Sequence, residues 1–296
     1  MKPKSSSLST NGRNWFVLAA LFCFTSCTGE AGWNDAATMF AKGKTARASK
    51  DYSSARRYYS RAGALGNTGA MTQLAYMNAT GQGAAVDSAK AQALFQQAAA
   101  NGDSIAMNTL GIIILNQRGG VPDYPSAKMW FEKSAAMGNA DAMANLGLMY
   151  ANGQGVAQDF AQVCTWYTKA ANAGNVNSMK ELGYLYDQAK HVPQDYYQAY
   201  KWFSKAAATG DPDAMYNVGA YCATGRGTAQ NYIAARAGFQ NAAEAGQPNA
   251  MYELGYMCNK GLGGPKDENQ GHEWLHKAAN SGNAEALSEI GMYLKK

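Results

Sequence analysis

The sequence predicts an all-α fold, a solenoid of antiparallel helix pairs with a 36-residue repeat, on three observations. A small residue followed by methionine or leucine recurs at Ala70-Met71, Ala106-Met107, Ala142-Met143, Ser178-Met179, Ala214-Met215, Ala250-Met251 and Ala286-Leu287 without one insertion. A glycine keeps the same step from Gly66 through Gly102, Gly138, Gly174, Gly210 and Gly246 to Gly282. Residues suited to cap helices fall at fixed offsets between them. A constant period of this size marks a stack of units, each burying its apolar face only against its neighbours. Such a fold favours binding over chemistry.

The chain opens with Lys2, Lys4 and Arg13 ahead of an apolar run from Trp15 to Phe24. That run is too short to span a bilayer but fits the apolar core of a secretory signal peptide, placed at 1–26. Phe24-Thr25-Ser26-Cys27 is similar to a bacterial lipobox, which implies lipidation of Cys27. Thr28, rather than Asp, then favours the outer membrane over other destinations. The alternative is ordinary cleavage after Ala31, giving a periplasmic or secreted protein. The formal charge of +5 falls by three once the leader's cations are set aside, too little to make nucleic acid the expected partner.

After a linker at 27–33, residues 34–65 form a degenerate first unit. Asp51, Ala55, Tyr58, Tyr59 and Ala62 stand one period before Asp87, Ala91, Leu94, Phe95 and Ala98. Six repeats then occupy 66–281, and 282–296 make a terminal capping helix. In the unit starting at Gly138, the glycine suits a left-handed helix end and Asn139 the next N-cap. Gly246-Gln247 is the exception to this Gly-Asn or Gly-Asp pair. The first helix carries Ala142, Met143, Leu146, Gly147 and Tyr150 as an apolar stripe. A mid-helix glycine costs about 1 kcal/mol against alanine. Close approach of a neighbouring helix backbone is the expected reason for Gly147 and its counterparts. Gly153-Gln154-Gly155 turns the chain, and Asp159 caps the second helix, which is expected to bury Trp166 and Tyr167 and to end in Lys169-Ala170-Ala171. Trp130, Trp202 and Trp274 fall in the Trp166 slot.

The pattern A-M-x-x-L-G-x-x-Y-x-x-G-x-G-V, then D, then A-x-x-W-[YF]-x-K-A-A-x-x-G resembles the Sel-one-like repeat, a relative of the tetratricopeptide repeat, from about Gly66 to Lys296. The resemblance implies a right-handed α-solenoid. It also implies a protein–protein adaptor of the bacterial cell envelope that takes a peptide or protein in its concave groove. If the first helices line that groove, Tyr76, Asn108, Lys180, Tyr184, Tyr216, Tyr252 and Tyr256 are the candidate contacts. Tyrosine offers rigid contact area with a polar tip. Packing across adjacent helices is the competing account of these side chains.

Lys42, Lys44, Arg47, Lys50, Arg56, Arg57 and Arg61 form a basic cluster offset only by Asp51, close to any lipid on Cys27. It reads either as a solvated capping face or as a contact for anionic headgroups. No enzyme, cofactor or metal site is expected. His272-Glu273-Trp274-Leu275-His276 spells a zinc motif, but the repeat frame puts both histidines in solvent-facing slots. Gly43-Lys44-Thr45 lacks the earlier glycine of a phosphate loop, and His191 replaces a turn glycine. Some secreted relatives are stapled by disulfides and have been associated with penicillin-like compounds. The resemblance therefore leaves a secreted hydrolase of β-lactams or peptidoglycan, or a secreted host-interaction factor, as alternatives. Cys222 and Cys258 lie one repeat apart, farther than a disulfide reaches. The paired cysteines of those relatives are missing.

Overall fold

The computed structural model describes residues 35–116, 122–189 and 191–293. The leader, Cys27 and the linker before residue 34 lie outside the described residues. Fifteen α-helices and no strand occur among the described residues. They fall into two compact units, one ending at Leu110 and one beginning at Gly111.

The first unit holds α1 (Ala36–Ala48), α2 (Tyr52–Ala64), α3 (Thr68–Thr80), α4 (Ser88–Ala100) and the start of α5 (Ser104–Leu115). Its core joins Met39, Ala55, Tyr59, Ala62, Ala70 and Met77. The second unit continues with α6 (Tyr124–Ala136), α7 (Ala140–Asn152), α8 (Phe160–Asn172), α9 (Val176–Asp187) and α10 (Tyr196–Ala207). It ends with α11 (Pro212–Thr224), α12 (Tyr232–Glu244), α13 (Pro248–Lys260), α14 (Glu268–Asn280) and α15 (Ala284–Tyr293). In each unit, helices pack mainly on the helices before and after them in the chain. That is the contact pattern of an α-solenoid.

Backbone hydrogen bonds close the short link between repeats. At the end of α6, Gly138 (φ 85°) donates to the Ala135 carbonyl at 2.9 Å and Asn139 donates to the Ser134 carbonyl at 3.2 Å. Only glycine takes that φ cheaply. The Asn139 carboxamide then accepts from the Ala142 amide at 2.9 Å and starts α7. Gln247, the expected exception, also caps its helix by accepting from the Ala250 amide at 2.6 Å. Its extra methylene does not prevent the bond. The carboxylate of Asp159 accepts from the Ala161 and Gln162 amides, so α8 is capped by the residue the sequence offers for it.

Three expectations need correction. Trp166 is only half-buried, while Tyr167 is buried. Val163, Tyr167, Ala170 and Ala171 lie at i, i+4, i+7 and i+8 and take the core face, which leaves Trp166 on its flank. There Lys169 stands 4.1 Å over the indole, and Lys133 and Lys277 cover Trp130 and Trp274 in the same way. Of the four tryptophans in this slot, Trp202 is the buried one.

The second correction concerns Gly147. A Cβ there would lie 2.5 Å from the ring of Tyr167, so the glycine admits an aromatic side chain and not a helix backbone. Phe131, Phe203 and Phe239 fill the same role at Gly111, Gly183 and Gly219. Backbone does approach at Gly255, 2.9 Å from the Gly271 carbonyl, but Leu275 stands equally close.

Third, only the second helix of the first repeat keeps the period. Its A–B link is Ser49–Asp51 where the next repeat uses Gly81–Asp87, so α1 is displaced by one helical turn. Gly43 thereby comes to face Tyr59.

Candidate functional site

In the second unit, the ninth residues of α5, α7, α9, α11 and α13 are Ile112, Leu148, Tyr184, Ala220 and Tyr256. Ile112, Leu148 and Tyr256 are large, apolar and exposed, at 39%, 47% and 43%. They lie outside the cores built by the neighbouring positions of the same helices. Apolar side chains repeated on one face, without a packing role, are what a docking surface requires.

The predicted groove residues fall into three groups. Tyr256 presents its ring, with Lys260 5.9 Å away. Tyr76, Tyr184 and Tyr216 instead lean on the aromatic core of their own repeats, at 5.0 Å from Phe95, 5.0 Å from Phe203 and 5.7 Å from Phe239. Their remaining polarity reaches the next first helix: the Tyr76 hydroxyl meets that of Thr109 at 2.8 Å, and the Tyr184 hydroxyl accepts from Asn217 at 3.2 Å. Burial, followed by the charges of Glu253 and Glu285, raises the Tyr216 pKa. Tyr252 is half-buried and raised in the same way, by burial and then Glu289.

Asn108 is buried and presents little surface. Lys180 bonds to Asp211 at 2.9 Å and Asp213 at 3.4 Å. Burial pulls its pKa down, but the two carboxylates more than offset this and hold the ammonium charged. Asp211 also caps α11 through the Ala214 amide, so Lys180 ties one repeat to the start of the next.

The basic cluster also separates by role. Arg47 donates to Gln82 at 3.0 Å and to Gln73 at 2.6 Å, and Arg56 donates to Asn78 at 2.6 Å. Both brace the first repeat on the second. Lys44, Lys50, Arg57 and Arg61 are exposed, while Lys42 is half-buried. Arg236 stands five periods after Arg56 and repeats the brace, donating to Cys258 and Gln270 at 3.2 Å each. The interleaved glutamines gave no sequence signal for these braces.

Cys164, Cys222 and Cys258 are free thiols. Burial pushes Cys164 and Cys258 up, away from a reactive thiolate. His272 and His276 are exposed, and no group of three or more His, Cys, Asp or Glu that could hold a metal occurs among the described residues. No helix of the described residues is long and apolar enough to cross a membrane.

Comparison with known structures finds the same architecture. A protective antigen present in uropathogenic Escherichia coli strains, c5321, displaying an SLR fold, superposes with a TM-score of 0.75 at 29% identity over 87% of this chain. The chain spans 56% of that antigen's length. A Sel1 repeat protein from Oxalobacter formigenes superposes with a TM-score of 0.70 at 28% identity, over 82% of this chain and 99% of its own. No curated protein sequence matches the chain. The Sel1 repeat matches seven times in succession, at 34–67, 68–103, 104–139, 140–175, 176–211, 212–247 and 248–283. With helix pairs recurring across those seven matches, this chain belongs to the Sel1 repeat family.

Proposed function

We propose that this protein is an interaction scaffold of the bacterial cell envelope, holding a partner polypeptide on the face that carries Ile112, Leu148 and Tyr256. Sel1 repeat proteins act in general as protein–protein interaction scaffolds, and their fold is typically non-catalytic. The observation that carries the reading is the recurrence of exposed large apolar side chains at one helical position in three of the second unit's five first helices. A peptide helix or extended segment would bury them while the rim stays polar. The envelope location rests on the leader and on Cys27. The exposed cations Lys44, Lys50, Arg57 and Arg61 suit anionic headgroups, each contributing up to about 1 kcal/mol beside such a surface.

Two measurements test this. A photo-crosslinking residue in place of Leu148, on that face, should capture a discrete partner in bacterial cells. That capture should fall about tenfold or more in the I112E/Y256E double variant, because charge is forced into an apolar contact. Capture unchanged by both substitutions rejects the face. The mature N-terminus decides the location: a mass starting at acylated Cys27 in the membrane fraction agrees with a tether, and an unmodified start near Gly32 in the medium rejects it.

A further inference from the structure

The turn between α9 and α10 breaks the glycine rule. Where the preceding repeat has Gly153 and Gly155, this one has Ala189 and His191, both left-handed at φ 53° and 65°. In that preceding repeat, Tyr124 packs flush under Gly155. Here the imidazole of His191 lies flat on Phe160 instead, with ring centroids 3.7 Å apart. Beside this stack lies a cavity of about 400 Å³, within the range of sites that hold small ligands or side chains. Its apolar wall includes Leu148, Val163 and Leu185.

Among the described lining residues Glu181 is the one carboxylate, beside two phenols, three carboxamides and His191. Tyr167 is 92% buried by its 8% exposure, lines the cavity, and has no hydrogen-bond partner among the described residues. Burial, with Glu181 nearby, pushes its pKa up to about 12, so the phenol stays neutral. Glu181 is exposed at the rim and pairs with no cation among the described residues. Gln158 donates its amide to the Ala151 carbonyl at 2.7 Å, which leaves its oxygen to accept. No lysine or arginine among the described residues lines the space. A carboxylate, a neutral phenol and a carboxamide oxygen around an apolar shaft suit a planar cation with several N–H donors on an aliphatic stem.

We propose that this cavity receives an arginine side chain of the partner polypeptide, with its guanidinium on Glu181 and Tyr167 and its methylenes along Leu148, Val163 and Leu185. The inference rests on the scaffold reading, since Leu148 belongs both to the cavity wall and to the proposed docking face.

The test is a methyl-NMR titration of the full chain with N-acetyl-arginine N-methylamide and with its neutral isostere, the citrulline analogue. The arginine compound should give saturable shifts at the Leu148, Val163 and Leu185 methyls. The citrulline compound should bind about tenfold or more weakly, through loss of the charge-assisted bonds. E181Q should remove that preference, and Y167F should weaken the arginine compound while keeping the ring that packs on Gly147. Equal binding of the two compounds, no saturable shift, or an E181Q variant with the preference intact overturns the assignment. A failed titration alongside a crosslink still lost in I112E/Y256E rejects the cavity and leaves the scaffold. A successful titration alongside an unaffected crosslink rejects the docking face instead.

Discussion

At the scale of single residues, the mid-helix glycine is the most informative position. Helix propensity alone says that Gly147→Ala should stabilise α7 by about 1 kcal/mol. Packing says the opposite, because the new methyl would lie 2.5 Å from the Tyr167 ring, itself held between α7 and the rest of α8. Overpacking of this kind costs about 1–3 kcal/mol, so the substitution should destabilise the protein in urea unfolding. A stabilised G147A variant would mean that the ring swings away freely. Sequence reasoning found the glycine and knew that it needed a close neighbour, but named the wrong one. The pattern W-[YF] offers two adjacent aromatics, and only their register against Val163 and Ala170 separates the inward ring from the flanking one. That register is readable from spacing, so this part of the core was legible and misassigned.

At the scale of elements, the legible parts are those with local causes. Caps, left-handed glycines and the antiparallel pairing all follow from residues within four positions of each other, and they agree with the structure down to Asn139 and Asp159 as helix starts. The shift of α1 was not legible, because it depends on the length of a turn whose glycines are absent. The cavity beside His191 was half legible: the missing glycine could be seen in the sequence, but its consequence lies in Phe160, thirty-one residues earlier. Ala189 isolates the cost of that turn. Its side chain is exposed at φ 53°, a conformation that costs non-glycine residues roughly 1–2 kcal/mol, whereas glycine loses part of that gain to its freer unfolded chain. Ala189→Gly should therefore raise stability by about 0.5–1 kcal/mol in urea melts. A neutral or negative result would show that Gln188 and His191 hold this turn without strain.

For the molecule as a whole, the fold class followed from the period because a repeat stack has few ways to bury its apolar stripes. The candidate site did not follow so far. Which tyrosines present their rings and which lean into the core depends on side-chain directions that one repeated slot does not encode, as Tyr184 and Tyr256 show. The same neighbour-only packing predicts how the second unit fails. Phe239 is 2% exposed, fills the space over Gly219, and joins Ala235, Ala250 and Met251 in one cluster. Truncation to alanine removes a large core ring and should cost about 3–5 kcal/mol locally. In a stack held by nearest-neighbour terms, that loss does not spread evenly. Hydrogen exchange of the F239A variant should therefore accelerate in α11, α12 and α13, while α6, α7 and α8 keep their protection. Uniform acceleration from α6 to α14 would instead mean that the second unit opens as one cooperative body. A second unit that opens only as one body would present the proposed face to a partner only whole, whereas local opening would let single repeats adjust around a bound chain.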